Sequence, residues 1–128
     1  MDGLIRSGMM KKMKKIKIGY SDYKIIDNDD ANNSDGQFSH GDKTIKITST
    51  LSSSDRLNTL LHETLHGVWL HWGMDETTNS ENTEEAVITS IANGLTTVIR
   101  DNPNFLLNLT KLAQSKEWDD QDVRSRAA

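Results

Sequence analysis

Hydrophobic and polar residues alternate with a period of two in the first half of the chain, which is the pattern of β-strands. The segment IKIGYSDYKIID (16–27) predicts one strand, broken by a bulge near Gly19. The segment QFSHGDKTIKITST (37–50) predicts a hairpin that turns at HGDK, with Ile45 and Ile47 on one face of its second arm. The N-terminal half therefore predicts a small antiparallel or mixed sheet of about three strands.

In the second half, apolar residues recur every three or four positions, which is the pattern of amphipathic helices. The first predicted helix, SSSDRLNTLLHETLHGVWLHWG, begins with residues suited to N-capping and ends at Gly73, which suits the position after a helix. Its apolar stripe is predicted to face the core and consists of Leu61, Leu65, Val68 and Trp72, with Trp69 at the edge.

A second amphipathic helix is predicted for TEEAVITSIANGLTTVIRDNP, which stops at Asn102 and Pro103. Its predicted inner face consists of Ile88, Ile91, Leu95 and Val98. The segment NFLLNLTKLAQSKEW predicts a short third helix. The predicted fold class is therefore α+β, a small sheet packed on two consecutive helices.

The length of 128 residues is enough for one domain and too short for two. We expect this domain to span residues 15–112, with a flexible tail over 1–14 and a frayed tail over 113–128. Met10 and Met13 are alternative starting residues. The chain contains no cysteine, so neither disulfides nor thiolate metal sites are available, and any metal must be bound by histidine and carboxylate.

Charge and hydropathy limit the partners of the protein. No apolar run approaches the roughly 18 residues of a membrane span, and the N-terminus lacks the apolar stretch of a signal peptide. We therefore expect no membrane association and a cytoplasmic location. The formal net charge of −4 argues against a nucleic-acid partner, although KKMKK is a local basic run.

The first predicted helix carries HETLH, which fits the metal-binding pattern H-E-x-x-H. At 3.6 residues per turn, His62 and His66 lie about 40° apart on one face, so both imidazoles can bind one metal ion. Glu63 is displaced around the helix and can reach a water on that metal without being a ligand. Two imidazoles, one carboxylate and a water suit Zn²⁺ in tetrahedral geometry.

A zinc site of this kind needs a third protein ligand, and ENTEEAV offers three carboxylates at the start of the second helix. Glu85 lies at the border of the apolar stripe of its helix, as His62 and His66 do on theirs, and this match favours Glu85. Glu84 points nearer the centre of the stripe and stays an alternative, whereas Glu81 is one turn earlier. Acids that are not ligands are expected to be solvated and to stabilise the helix dipole.

The other histidines and the tryptophans are predicted to have different roles. His71 comes five residues after His66, so we expect it to project from the opposite side of the helix as a surface residue. His40 is expected to be a residue of the hairpin turn. Trp69 and Trp72 are interpreted as packing residues of the core or of an interface.

The combination of HETLH with EEAV on a second helix resembles the gluzincin type of zinc metallopeptidase. The small size is similar to that of minigluzincins and of the metallopeptidase domain of the ImmA/IrrE family, in which a strand-rich segment also precedes the HExxH helix. Residues 16–110 as a whole resemble small phage and prophage proteins. The resemblance implies a minimal zincin-like domain, with zinc ligands His62, His66 and Glu85 and general base Glu63.

Two positions depart from the pattern of this family. Leu65 stands where ImmA/IrrE proteins usually have glycine before the second histidine, and Thr89 stands where some gluzincins have an acidic residue. The sequence therefore does not identify the partner that would orient a zinc-binding histidine.

The resemblance implies hydrolysis of peptide bonds in a narrow set of protein substrates, in the host cytoplasm if the chain is phage-encoded. An extended substrate is expected to pair with an edge of the sheet, around Thr44–Thr48. The oxyanion needs a further donor, and the candidates are Tyr20, Tyr23, His40 and His71. The alternative hypothesis is a catalytically inactive or structural zinc-binding protein that acts by binding a protein partner. A nucleic-acid-binding adaptor that uses KKMKK is a weaker one.

Overall fold

Four strands and three helices follow one another in the computed structural model, which describes residues 12–29, 34–73 and 81–115. The strands are β1 (Lys15–Ile18), β2 (Ser21–Asn28), β3 (Gly36–Ser39) and β4 (Thr44–Thr48). The helices are α1 (Ser53–His71), α2 (Glu81–Asp101) and α3 (Phe105–Ala113). The fold class is therefore α+β, as the sequence predicts.

The strands form one mixed sheet in the order β1-β2-β4-β3. β1 and β2 are antiparallel, β2 and β4 are parallel, and β3 and β4 are antiparallel. The predicted hairpin is confirmed, since β3 and β4 are joined by the turn 40–43. Ile45 and Ile47 lie on one face of β4, as predicted; both are fully buried and form the core with Ile18 and Tyr23.

The prediction of one bulged strand over residues 16–27 is wrong, because the chain reverses at Gly19 and Tyr20 and forms two strands. Gly19 has a φ of +62°, in the left-handed region that costs a residue with a Cβ about 1–2 kcal/mol. A Cβ at Gly19 would also lie 2.7 Å from Nδ1 of His71. Glycine therefore serves both the turn and the packing of α1, and the sheet has four strands rather than about three.

Helix α1 has the ends that the sequence predicts. The Ser52 hydroxyl accepts a hydrogen bond from the Asp55 backbone N–H over 3.1 Å, which satisfies one donor of the first turn. At the other end the chain leaves the helix through Gly73, whose φ is +74°. Local capping chemistry therefore accounts for the length of α1.

The contact between α1 and the sheet is very close at Gly67. A Cβ there would lie 2.7 Å from Cδ1 of Ile18 and 3.1 Å from Cε1 of Phe38. The first distance is shorter than any normal carbon contact, so glycine lets the helix backbone approach the sheet. Because Gly67 directly follows His66, this contact also determines how HETLH lies relative to β3.

Helices α1 and α2 pack antiparallel. The Asn58 side-chain amide donates to Oδ1 of Asn93 over 3.0 Å and to Oγ1 of Thr96 over 3.1 Å, in the second half of α2. Ile88 and Ala92 of α2 are buried on the same row as Thr96. The start of α2 therefore lies beside the middle of α1, where the HETLH histidines are.

The predicted core-facing stripes are only partly correct. Trp69 and Ile88 are buried, as predicted. In contrast, 38–44% of the surface stays exposed in Val68, Trp72, Ile91 and Val98. The reason is that α1 has two neighbours, the sheet and α2, and contacts them through other rows of side chains. On α1 the predicted stripe therefore leaves Val68 and Trp72 exposed, whereas Leu61 and Leu65 are half-buried.

The predictions about the ends of the chain are tested only in part. α3 confirms the third predicted helix, with its end at Ala113. The tails predicted over 1–14 and 113–128 lie for the most part outside the described residues, as does Met10. None of the helices in the described ranges is long and apolar enough to span a membrane.

Candidate metal site

The two histidines of HETLH lie on one side of α1, and their ring nitrogens converge. Nε2 of His62 and Nε2 of His66 are 3.3 Å apart. Two nitrogens bound to one tetrahedral zinc ion at about 2.0–2.1 Å would lie roughly 3.3 Å apart. The i, i+4 spacing on one helix therefore places two nitrogens at the separation that a zinc ion requires.

Glu85 of α2 adds a third donor to this pair. Its Oε1 lies 2.6 Å from Nε2 of His62, and its Oε2 lies 3.1 Å from Nε2 of His66. One ligand atom from each of the three residues falls within 4.8 Å of the other two. Two imidazoles and one carboxylate form a donor set that zinc takes when its fourth position stays open. The three side chains could therefore hold a zinc ion, with the 2.6 Å contact between Glu85 and His62 at hydrogen-bond length.

Glu84 approaches the same site from the other side of a histidine ring. Its Oε2 lies 2.6 Å from Nδ1 of His66, so an Nδ1–H of this ring can donate to the carboxylate. This hydrogen bond selects the tautomer whose Nε2 lone pair is free to bind a metal. The two acids left open by the sequence thus have different contacts, and Glu84 takes the position of the orienting partner that the sequence did not identify.

Glu63 is the buried carboxylate of the site, with 7% of its surface exposed. Burial raises the pKa of Glu63 from its ordinary value, while the neighbouring His62 and His66 act in the opposite direction. The carboxylate also accepts a hydrogen bond from the Phe38 backbone N–H, which holds it beside β3. Glu63 can therefore take up and release a proton next to the three donors without being one of them.

These side chains line a cleft of about 650 Å³ between α1, α2 and β3. The prediction that Thr44–Thr48 is an edge available to substrate is wrong, because this strand, β4, has β2 on one side and β3 on the other. The edge beside the cleft is β3. Its Gly36 is so close to α1 that a Cβ would meet Cγ2 of Thr59 at 2.5 Å and Cγ of Glu63 at 3.2 Å.

A second polar cluster joins β2, the β3–β4 turn and the end of α1. The Tyr23 hydroxyl lies 2.7 Å from Nδ1 of His40 and 2.7 Å from Nε2 of His71. Burial raises the pKa of Tyr23, so the hydroxyl keeps its proton, donates to one imidazole and accepts from the other. Lys43 adds a contact of 3.0 Å from its Nζ to Nε2 of His40. The cluster therefore links three separate elements of the fold.

The prediction that His71 is a free surface residue is wrong, although it does lie away from the His62 and His66 pair. The row Thr59, Glu63, Gly67 faces the sheet, and His71 is the next member at the i, i+4 spacing. That spacing, counted from Glu63 rather than from His62 and His66, is the sequence signal for the contact of His71 with the sheet.

The four candidates for an oxyanion donor are now distinguished by position. His40 is the only one of them among the residues that line the cleft. Tyr23 is fully buried and Tyr20 is 78% exposed. His71 packs against Gly19 and Tyr23. His40 is therefore the candidate whose location suits contact with a ligand in the cleft.

The His71 contacts predict a pH dependence of stability. Burial holds the pKa of His71 below its ordinary value, and the charges of His40 and Lys43 act in the same direction. On acidification below about pH 6.5 the unfolded chain binds this proton more readily than the folded one. The contribution of His71 to the free energy of unfolding therefore rises with pH through this window and is constant above it.

Urea unfolding of the wild type and of His71→Gln at about pH 5.5 and about pH 7.5 measures this contribution. Glutamine keeps a polar partner for Tyr23 but does not titrate, and the other titratable groups are common to both proteins. We expect the wild type to lose more stability than the variant at the lower pH. If both proteins lose the same free energy of unfolding at the lower pH, the pKa of His71 is the same in the folded and the unfolded chain.

Comparisons with known proteins add no family to these observations. The chain matches no protein-family model, and no curated protein or solved structure is significantly similar to it. The functional argument therefore rests on the residues of the cleft and on their geometry.

Proposed function

We propose that the protein is a zinc-dependent metallopeptidase, with zinc ligands His62, His66 and Glu85. The observation that carries this proposal is the convergence of three donor atoms from two helices, all within 4.8 Å of one another. It is supported by a fourth side chain, the buried Glu63, which lines the same cleft without being part of the donor group. A purely structural site has no need of such a carboxylate.

Each side chain has a defined part in the proposed hydrolysis. His62, His66 and Glu85 would hold the zinc ion, which would supply Lewis acidity toward the scissile carbonyl and lower the pKa of bound water toward about 7. Glu63, held by the Phe38 N–H, accepts the proton of the attacking water and passes it to the leaving amine. Glu84 keeps His66 in the tautomer that can bind zinc.

The substrate that suits this cleft is an extended peptide segment of a protein. β3 is an edge strand beside Glu63, so a peptide can add to the sheet there through the backbone groups of β3 other than the Phe38 N–H, which donates to Glu63. His40, at the end of β3, is placed to contact such a peptide. The edge strand beside the HETLH helix supports a minimal zincin-like architecture as part of this proposal. The absence of cysteine, which removes any need for an oxidising compartment, supports the cytoplasm as its location.

The proposal is tested by metal analysis and by peptide mapping on the same preparation. We expect about one zinc per chain and new peptide termini when a tryptic digest of bacterial protein is incubated with the enzyme, with cleavage lost after treatment with a chelator and restored by zinc. A protein that contains no zinc after dialysis against trace zinc would contradict the proposal. Stoichiometric zinc without any cleavage would favour the alternative, a zinc-binding protein that acts by binding a partner.

A further inference from the structure

The side of the α1–α2 pair that faces away from the cleft carries two apolar rows, which we call the seam face and which the described part of the chain leaves partly or largely exposed. On α1 the row consists of Leu61, Leu65, Val68 and Trp72, and on α2 it consists of Val87, Ile91, Gly94 and Val98. In both rows the residues follow one another at steps of four, three and four. This is the heptad spacing by which helices pack along one another.

The two rows form one continuous surface. On α1, the row that contains Glu63 and Gly67 faces the sheet, and the side that contains Asn58 faces α2. Since successive residues are 100° apart around a helix, the row that contains Leu61 and Leu65 points away from the sheet. On α2, the Ile88–Ala92 row faces α1. Because the helices are antiparallel, the Ile91 row then points to the same side as the α1 row.

At Gly94 of the seam face, no contact among the described residues explains why the residue is a glycine. It lies in the middle of α2, where glycine lowers helix stability relative to alanine. A Cβ built on Gly94 meets nothing within 4 Å, so no packing among the described residues requires its absence. A mid-helix glycine on an apolar row is suited to the close approach of another helix.

The seam face also lacks charged residues. From Val87 to Ile99 the sequence VITSIANGLTTVI contains no charged side chain, although Val87, Ile91 and Val98 are exposed. On α1 the segment from Leu57 to Trp72 contains a single acid, Glu63, which is buried on the other side. Cores of protein interfaces are depleted of charge in this way, whereas ordinary solvated helix faces are not.

We propose that the seam face binds a second copy of this chain, so that α1 and α2 of both copies form a four-helix interface around a twofold axis. Two antiparallel helices with heptad spacing can pack against a second pair of the same kind. A second copy of this chain presents such a pair, so the seam face is self-complementary. Helices of 19 and 21 residues give a face of roughly 30 Å by 20 Å. That is on the order of the 800 Å² per partner that a stable dimer buries.

In this dimer the two clefts open away from the interface, so dimerisation and metal binding are separable. The proposal does not depend on the peptidase activity, because it rests only on the apolar rows, Gly94 and the absence of charge. A variant that is monomeric should therefore keep its secondary structure and its ability to bind zinc.

Sedimentation equilibrium of the full chain tests the proposal. We expect a dimer for the wild type and a monomer for Ile91→Lys, which buries a charge in the interface and weakens association by at least about 100-fold. The matched control is Ile26→Lys on β2, since Ile26 is 37% exposed and Ile91 is 44% exposed. The control should remain dimeric. A monomeric wild type at about 100 µM, or an Ile91→Lys variant that stays dimeric, would overturn the proposal.

Cross-linking provides a second test that does not rely on loss of association. The chain has no cysteine, so single cysteines introduced at Ile91, Val98 or Ile26 are the sole reactive thiols. With a short bismaleimide we expect covalent dimers from Ile91→Cys or Val98→Cys and none from Ile26→Cys. Cross-linking at Ile26 alone would place the interface elsewhere and reject the seam face.

Discussion

Peptide cleavage is expected to fall at least about 100-fold when Glu63 is replaced by glutamine, because the amide cannot accept the proton of the attacking water. The side chain is buried and almost isosteric, and its oxygen can still accept the hydrogen bond from the Phe38 N–H. The fold and the zinc content should therefore be unchanged. Peptide mapping by mass spectrometry measures the cleavage, and metal analysis of the same sample measures zinc.

The matched control for this change is Asp55→Asn, which removes an exposed acid from the first turn of the same helix. We expect it to cleave at the wild-type rate. A Glu63→Gln variant that binds zinc and cleaves within about tenfold of the wild type would exclude Glu63 as the general base. A variant that loses both zinc and fold would instead assign Glu63 a structural role.

Zinc binding is expected to depend strongly on Glu85 and only moderately on Glu84. Glu85 approaches Nε2 of both histidines, so Glu85→Gln replaces the proposed carboxylate ligand with an amide and should abolish stoichiometric zinc. Glu84 contacts Nδ1 of His66 instead, and the oxygen of Glu84→Gln can still accept that N–H. We expect Glu84→Gln to lower the affinity for zinc by about 10–100-fold, as is typical for changes in residues that orient a metal ligand.

Competition with a chromophoric chelator measures the zinc affinity of both variants, and His62→Ala serves as the variant that must lose zinc. The two acids are neighbours on one helix and both changes are isosteric, so each is the control for the other. Stronger loss of zinc in Glu84→Gln than in Glu85→Gln would reverse their assignment. Similar small effects in both variants would indicate that a carboxylate outside this pair completes the site.

Local patterns along the chain were sufficient for most of the secondary structure. Alternation predicted the β3–β4 hairpin and the common face of Ile45 and Ile47, which is buried, and capping residues predicted both ends of α1. The β1–β2 hairpin was missed because Gly19 was interpreted as a bulge. A single glycine with positive φ fits a bulge or a tight turn equally well, and the register of the partner strand decides between them.

The faces of the helices were harder to predict than the helices themselves. An apolar row is expected to face the core, yet Val68, Trp72, Ile91 and Val98 stay exposed. The sheet-facing row of α1 contains instead Thr59, Glu63 and Gly67. The sequence pattern records which residues are apolar, whereas the surface that covers them depends on elements far away in the chain, or on another chain.

The sequence by itself determined the half of the candidate site that lies on one helix. The separation of His62 and His66 follows from 3.6 residues per turn, so HETLH implies two converging nitrogens wherever the helix lies. The sequence favoured Glu85 and kept Glu84 as an alternative, but only the tertiary structure gave the two acids different contacts and moved the edge strand from β4 to β3. These features depend on how closely α1 approaches β3 and α2, which glycines such as Gly67 and Gly36 permit but local periodicity does not encode.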